Sequence, residues 1–181
     1  MPPFYDIYGL SKERNKETIE TFLGFYCQRT QIENFIGQGI EIAIYKNDKY
    51  NVEEKYVPVY NLSEVIDYGL NYPNIGFAFY IGLKSNYRKD IGNVILKFTF
   101  DGKIIFGISI EENIVTNDGS LIDNYDRALE IERTIAELTQ STKTSIQFES
   151  APSDDEEEFD NNLQFWRKMN EEKRKERSIY R

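Results

Sequence analysis

The chain has 181 residues, with 22 Lys+Arg against 31 Asp+Glu, a net charge of −9, no His, one Cys and one Trp. Without His there is no Ser/His/Asp or Cys/His relay and no HExxH zinc helix. A lone Cys27 excludes an intrachain disulfide and any Cys-rich zinc site, and the acidic excess disfavours nucleic acid or an anionic membrane as a direct ligand.

The length fits one domain. Ile occurs 22 times against 10 Leu, beside 13 Tyr and 12 Phe, a bias toward residues that pack well on a pleated surface. Met1-Pro2-Pro3-Phe4-Tyr5-Asp6 has neither a basic nor an apolar leader region, and no window approaches 18 apolar residues. A cytoplasmic location is therefore expected, with no membrane partner.

In chain order, Ser11 to Gln28 places Ile19, Phe22, Leu23, Tyr26 and Cys27 on one helical face, with Asn15 or Ser11 as cap. Cys27 on that face reads as a small buried hydrophobe. Ile40 to Tyr45 alternates with period two and reads as a half-buried strand. Gly37 and Gly39 precede that strand, so they are not a nucleotide fingerprint, which must follow a strand and open a helix. Lys46-Asn47-Asp48-Lys49 turns the chain into Tyr56 to Tyr60, where Pro58 marks an edge strand.

Ser63 is expected to cap a helix over Glu64 to Leu70, so that Asn61-Leu62-Ser63 reads as a helix start although it matches a glycosylation triplet. Gly76 to Leu83 reads as a central strand. Val94 to Phe100 and Lys103 to Ile110, joined by Asp101-Gly102, form the firmest local pattern, a hairpin in which both turn residues take positive φ in a type I′ turn. Ser109 then lies inside a strand, and Gly107-Ile108-Ser109-Ile110 lacks the second glycine of a nucleophile elbow. Asn117-Asp118-Gly119-Ser120 marks a further turn. Asn124 can cap a helix with Ala128, Ile131, Ile135 and Leu138 on one face, and Lys143 to Glu149 closes with a strand. The order is helix, two strands, helix, three strands, helix, strand: an α+β fold with a mainly antiparallel sheet and flanking helices.

Residues 1–149 make the globular domain in this reading, 150–161 an acidic linker, and 162–181 a charged amphipathic helix with Leu163, Trp166 and Met169 on its narrow apolar stripe. Such a helix is marginal alone and must dock on its own chain, a second copy or a partner. Consecutive carboxylates at Asp154, Asp155, Glu156, Glu157 and Glu158 do not reproduce a calcium loop, so neither metal nor cofactor is expected. The basic residues between 167 and 177 alternate with Glu171, Glu172 and Glu176 and read as a self-paired surface. The carboxylate pairs Glu53-Glu54, Glu111-Glu112 and Asp123 with Asp126 are not distinctive among 31 acids.

These features point away from catalysis and toward recognition. Tyr45, Tyr50, Tyr56, Tyr60, Tyr68, Tyr72, Tyr80 and Tyr87 supply contact area at small entropic cost. In general character the chain is similar to the bacterial immunity proteins that neutralise toxins: small, acidic and without a catalytic constellation, though no motif carries the likeness. The expected function is a non-enzymatic inhibitor that occludes a basic surface on a protein partner, a toxin for instance. Residues Asp154–Glu158 and Leu163, Trp166 and Met169 are its expected contacts. The alternatives are a small-molecule-binding domain or enzyme using Asp/Glu and Tyr, and a structural protein that dimerises through its C-terminal helix.

Overall fold

The first strand of the chain is an interior strand of the sheet, one place from its edge. The computed structural model describes residues 3–46, 54–82 and 91–179. In it β1 (Phe4–Ser11) pairs antiparallel with β6 (Ile104–Glu111) on one side and with β9 (Lys143–Phe148) on the other. The full order is β3-β2-β4-β5-β6-β1-β9, with β2 at Ile40–Lys46, β3 at Glu54–Val59, β4 at Ile75–Gly82 and β5 at Asn93–Phe98. Every junction is antiparallel. Pro58 lies on the edge strand β3, where a missing N–H costs no ladder bond. A separate two-stranded hairpin joins β7 (Asn113–Val115) to β8 (Leu121–Asp123).

Period-two alternation assigns the two faces of the sheet. Ile7, Phe77, Leu96, Phe98, Phe106 and Ile108 belong to the main core. Four helices supply its other half: α1 (Lys16–Tyr26), α2 (Arg29–Ile36), α3 (Leu62–Asn71) and α4 (Tyr125–Thr139). The intervening residues Tyr8, Leu10, Ile95 and Ile105 form a second, smaller core with Phe159 and Leu163 of α5 (Glu156–Ile179). The sheet is thus covered by four helices on one face and by the C-terminal helix on the other.

Several expectations need correction. Phe4–Ser11 is a strand, and α2 is a helix absent from the expected order. The residues 150–161 are no linker: Pro152 and Ser153 are buried, Asp155 accepts from the Glu158 N–H at 2.8 Å, and the helix begins at Glu156. Carboxylates in a first helical turn face the positive end of the helix dipole, which is why this run starts the helix. The α3 cap is Asn61, whose side chain accepts from the Glu64 N–H at 2.9 Å, and not Ser63. Asn47-Asp48-Lys49, Tyr50, Glu53, Leu83 and Tyr87 lie outside the described residues, as do the side chains of Glu54, Glu176 and Arg177.

Candidate functional site

Each expected contact residue of the tail can now be placed. Asp154 takes an ion pair from Lys97 Nζ at 2.5 Å and a hydrogen bond from the Tyr45 hydroxyl at 3.0 Å. Lys97 is only 2% exposed, its ammonium also reaches Tyr45 Oη, and it lies 4.6 Å from the Tyr45 ring centre. Glu156 bridges Lys103 and Lys143, at 3.0 and 2.9 Å. Hydrogen bonds from Lys143 and then Lys103 hold the Glu156 carboxyl below its usual range. Glu158 accepts from the Asp154 N–H at 2.6 Å. Glu157 is exposed. Leu163 is buried, whereas Trp166 and Met169 are half-buried.

Two of the five acids, Asp154 and Glu156, therefore tie α5 to the rest of its chain, Asp155 and Glu158 cap its start, and its fully buried apolar anchor is Phe159. Its sequence signal was its place four residues before Leu163, inside what reads as a solvated acidic run.

The same face carries a second polar group. Asp6, which is 8% exposed, accepts from Ser109 Oγ at 2.5 Å and from the Ser150 N–H at 3.0 Å. Burial pushes its carboxyl above the usual value, more than these two bonds lower it. The neighbouring Tyr8 hydroxyl donates to the Ser150 carbonyl at 2.7 Å. Asp6 and Tyr8 thereby hold the chain where it leaves β9 and crosses the sheet. No strand alternation announces Asp6, because both faces of β1 are buried.

The exposed aromatic and aliphatic residues gather elsewhere. Tyr56, Tyr60, Tyr72 and Tyr80 are exposed, while Tyr45 and Tyr68 are half-buried. Among the described residues four exposed aliphatic side chains cluster in the β7–β8 hairpin, where Ile114, Val115, Leu121 and Ile122 are 48%, 67%, 68% and 55% exposed. Register pairs Ile114 with Ile122 and Val115 with Leu121, one pair on each side of the ribbon. Asp118 fixes the turn by accepting from the Ser120 N–H and hydroxyl, at 3.0 and 2.6 Å, and from Thr116. Gly119, at φ +82°, supplies the left-handed residue. Asp123 accepts from Tyr5 Oη at 3.2 Å and from the Tyr125 N–H at 2.8 Å, tying the ribbon to β1 and α4.

The ribbon lies in an acidic stretch of the sequence. Residues 104–126 contain Glu111, Glu112, Asp118, Asp123 and Asp126 and no Lys or Arg, while Lys173 of α5 stands 3.7 Å from Glu112. The signal in the sequence is this base-free stretch around a turn flanked by Ile-Val and Leu-Ile.

No protein family, curated protein or solved structure matches the chain. Among the described residues no group of three or more Cys, Asp or Glu is placed to hold a metal ion, and no helix is long and apolar enough to cross a membrane.

Proposed function

We propose that the protein is a non-enzymatic interaction protein of inhibitor type, which covers a basic surface on a partner protein and does so through the β7–β8 hairpin. The observation that carries this reading is four exposed aliphatic side chains, two on each side of a ribbon that lies in a stretch of five acids without Lys or Arg. Exposed apolar side chains among polar ones are the usual composition of a protein contact. The aliphatic side chains supply affinity by leaving water, and the acids supply orientation and on-rate toward a cationic partner. An immunity-type role, neutralising a basic toxin in the cytoplasm of the cell that makes both, is the specific form favoured by the net charge of −9.

In this reading the acidic run at Asp154–Glu158 holds α5 in place, and the contact surface lies at the hairpin. Neutralising the run would loosen α5 and confuse any binding result. The clean test replaces Ile114, Val115, Leu121 and Ile122 together by Ser, at positions where exposure leaves little packing to lose. Capture from a lysate of the source cells, with wild type and variant side by side, should retain a basic protein on wild type alone. Raising salt to about 0.5 M, where screening acts within a few ångströms, should weaken that retention. Identical retained proteins for both chains would overturn the hairpin as the contact. In a purified pair, Glu111→Gln with Asp126→Asn should slow association more than it speeds dissociation.

A further inference from the structure

Among the described residues strand β9 has a neighbour on one side only, β1. Its other edge borders a cleft of about 360 Å³ between α4 and α5. Within the cleft the Asn170 side-chain amide donates to the Ile146 carbonyl at 3.0 Å. That carbonyl must therefore point away from β1. In an antiparallel ladder the N–H and C=O of one residue point the same way and alternate along the strand. Thr144, Ile146 and Phe148 are then the residues that offer both groups outward, and Asn170 stands where the N–H of a further strand would stand.

The walls differ in chemistry. Tyr125 and Leu129 of α4 line the side continuous with the main core, and Arg167 and Arg174 of α5 line the opposite side, with Glu171 between them leaving that wall net positive. Glu132 of α4 also borders the cleft. Arg174 reaches across it, donating to Tyr125 Oη at 3.3 Å with its guanidinium 5.1 Å from that ring. A strand laid along β9 would send alternate side chains to the two walls.

We propose that the β9 edge accepts an extended peptide segment of a partner as an eighth strand, with apolar side chains toward α4 and acidic ones toward α5. Main-chain bonds to Thr144 and to Ile146, whose carbonyl exchanges its Asn170 partner for the incoming N–H, give this mode its affinity, and the alternating walls give its selectivity. The surface is distinct from the hairpin, and either assignment can fail without the other.

The test uses the full ¹⁵N-labelled chain and two blocked pentapeptides, Val-Glu-Val-Glu-Val and Val-Lys-Val-Lys-Val. The Glu peptide should shift the amide signals of β9 and the facing turns of α4 and α5, and slow exchange of the Thr144 and Ile146 amides. The Lys peptide should bind at least about tenfold more weakly, the scale of a modest change in charge contact. Arg167→Glu with Arg174→Glu, both at exposed positions, should reverse that preference while leaving the sheet signals in place. Asn170→Ala should bind the Glu peptide no less tightly than wild type. Absent shifts, shifts away from the cleft, or equal binding of both peptides by both chains would each overturn the proposal.

Discussion

Arg14, in the turn between β1 and α1, bonds five backbone carbonyls. Its Nε donates to the Lys103 carbonyl at 3.1 Å, Nη1 to Gly69 and Tyr72 at 2.5 and 3.0 Å, and Nη2 to Ile75 at 3.1 Å and to Thr99. Two of these carbonyls lie at the C-terminal end of α3, where unpaired oxygens carry the negative end of the helix dipole. Burial lowers the Arg14 pKa to about 10 even with Asp101 acting the other way, and the ion stays charged at neutral pH. Arg14→Met should cost about 3–5 kcal/mol, the range for stripping one partner from a buried polar set, read as the denaturant midpoint. Arg14→Lys should recover only part of that, since one ammonium with three donors cannot reproduce a planar fork. Asp6 carries the opposite sign. Its folded pKa lies above its unfolded one, so the buried charge opposes folding at pH 7 and the penalty fades as pH falls through the raised value toward 3.8. Asp6→Asn should therefore melt above wild type at pH 7, with the gap closing by pH 4. A gap that widens on acidification contradicts the assignment.

The elements differ in how they are held, and so in what breaks them. In the β5–β6 hairpin Gly102 sits at φ +80° with no atom nearer than 3.7 Å to an added Cβ. Gly102→Val should therefore cost about 1–3 kcal/mol through backbone conformation alone, seen as a lower melting temperature. Helix α5 rests on its small apolar contact. Phe159→Ala should cost about 3–5 kcal/mol of local stability and strip exchange protection from residues 156–179 while β4 and β5 keep theirs. Trp166→Ala, at a half-buried position, should do less, and the reverse ranking would move the anchor. Elements with one buried face were legible in sequence: the stripe of α4 and the isoleucines of β2 each follow a single period. The hairpin at Asp101-Gly102 was legible in place but not in type, since Gly102 alone takes positive φ and Phe98 pairs with Ile104 around a longer turn than the expected two-residue type I′. Strand β1 was illegible because its burial is two-sided, with Tyr5 and Ile7 in one core and Tyr8 and Leu10 in the other. The start of α5 was illegible for a different reason. Its acids are neutralised by Lys97, Lys103 and Lys143, which lie 13 to 57 residues away in sequence. Of the site, sequence flagged the turn at Asn117–Ser120 and the general acidity, but exposure of Ile114 and Leu121 is a property of the fold.

At the scale of the whole molecule, acid should act first on the α5 side. Glu156 and Asp101 have folded pKa values below their unfolded 4.5 and 3.8; for Asp101, bonds from Lys103 and Thr99 outweigh the opposing effect of burial. Their stabilisation is complete above those unfolded values and is lost as pH falls through the depressed ones. Exchange protection in α5 should then decline below about pH 4 while the main core, built from apolar residues, persists to lower pH. Simultaneous loss of both would make α5 part of one cooperative unit. The position of β1 between β6 and β9 also matters while the chain is being synthesised. Its partners Ile108 and Ile146 lie about 100 and 140 residues downstream of Ile7. At roughly 5–20 residues per second, the stretch from Tyr5 to Leu10 leaves the ribosome many seconds before either neighbour exists. A nascent chain halted after Gly102 would present this strand without β6 or β9 to pair with, so a chaperone that holds extended apolar segments should be found on Phe4–Ser11 until those partners emerge.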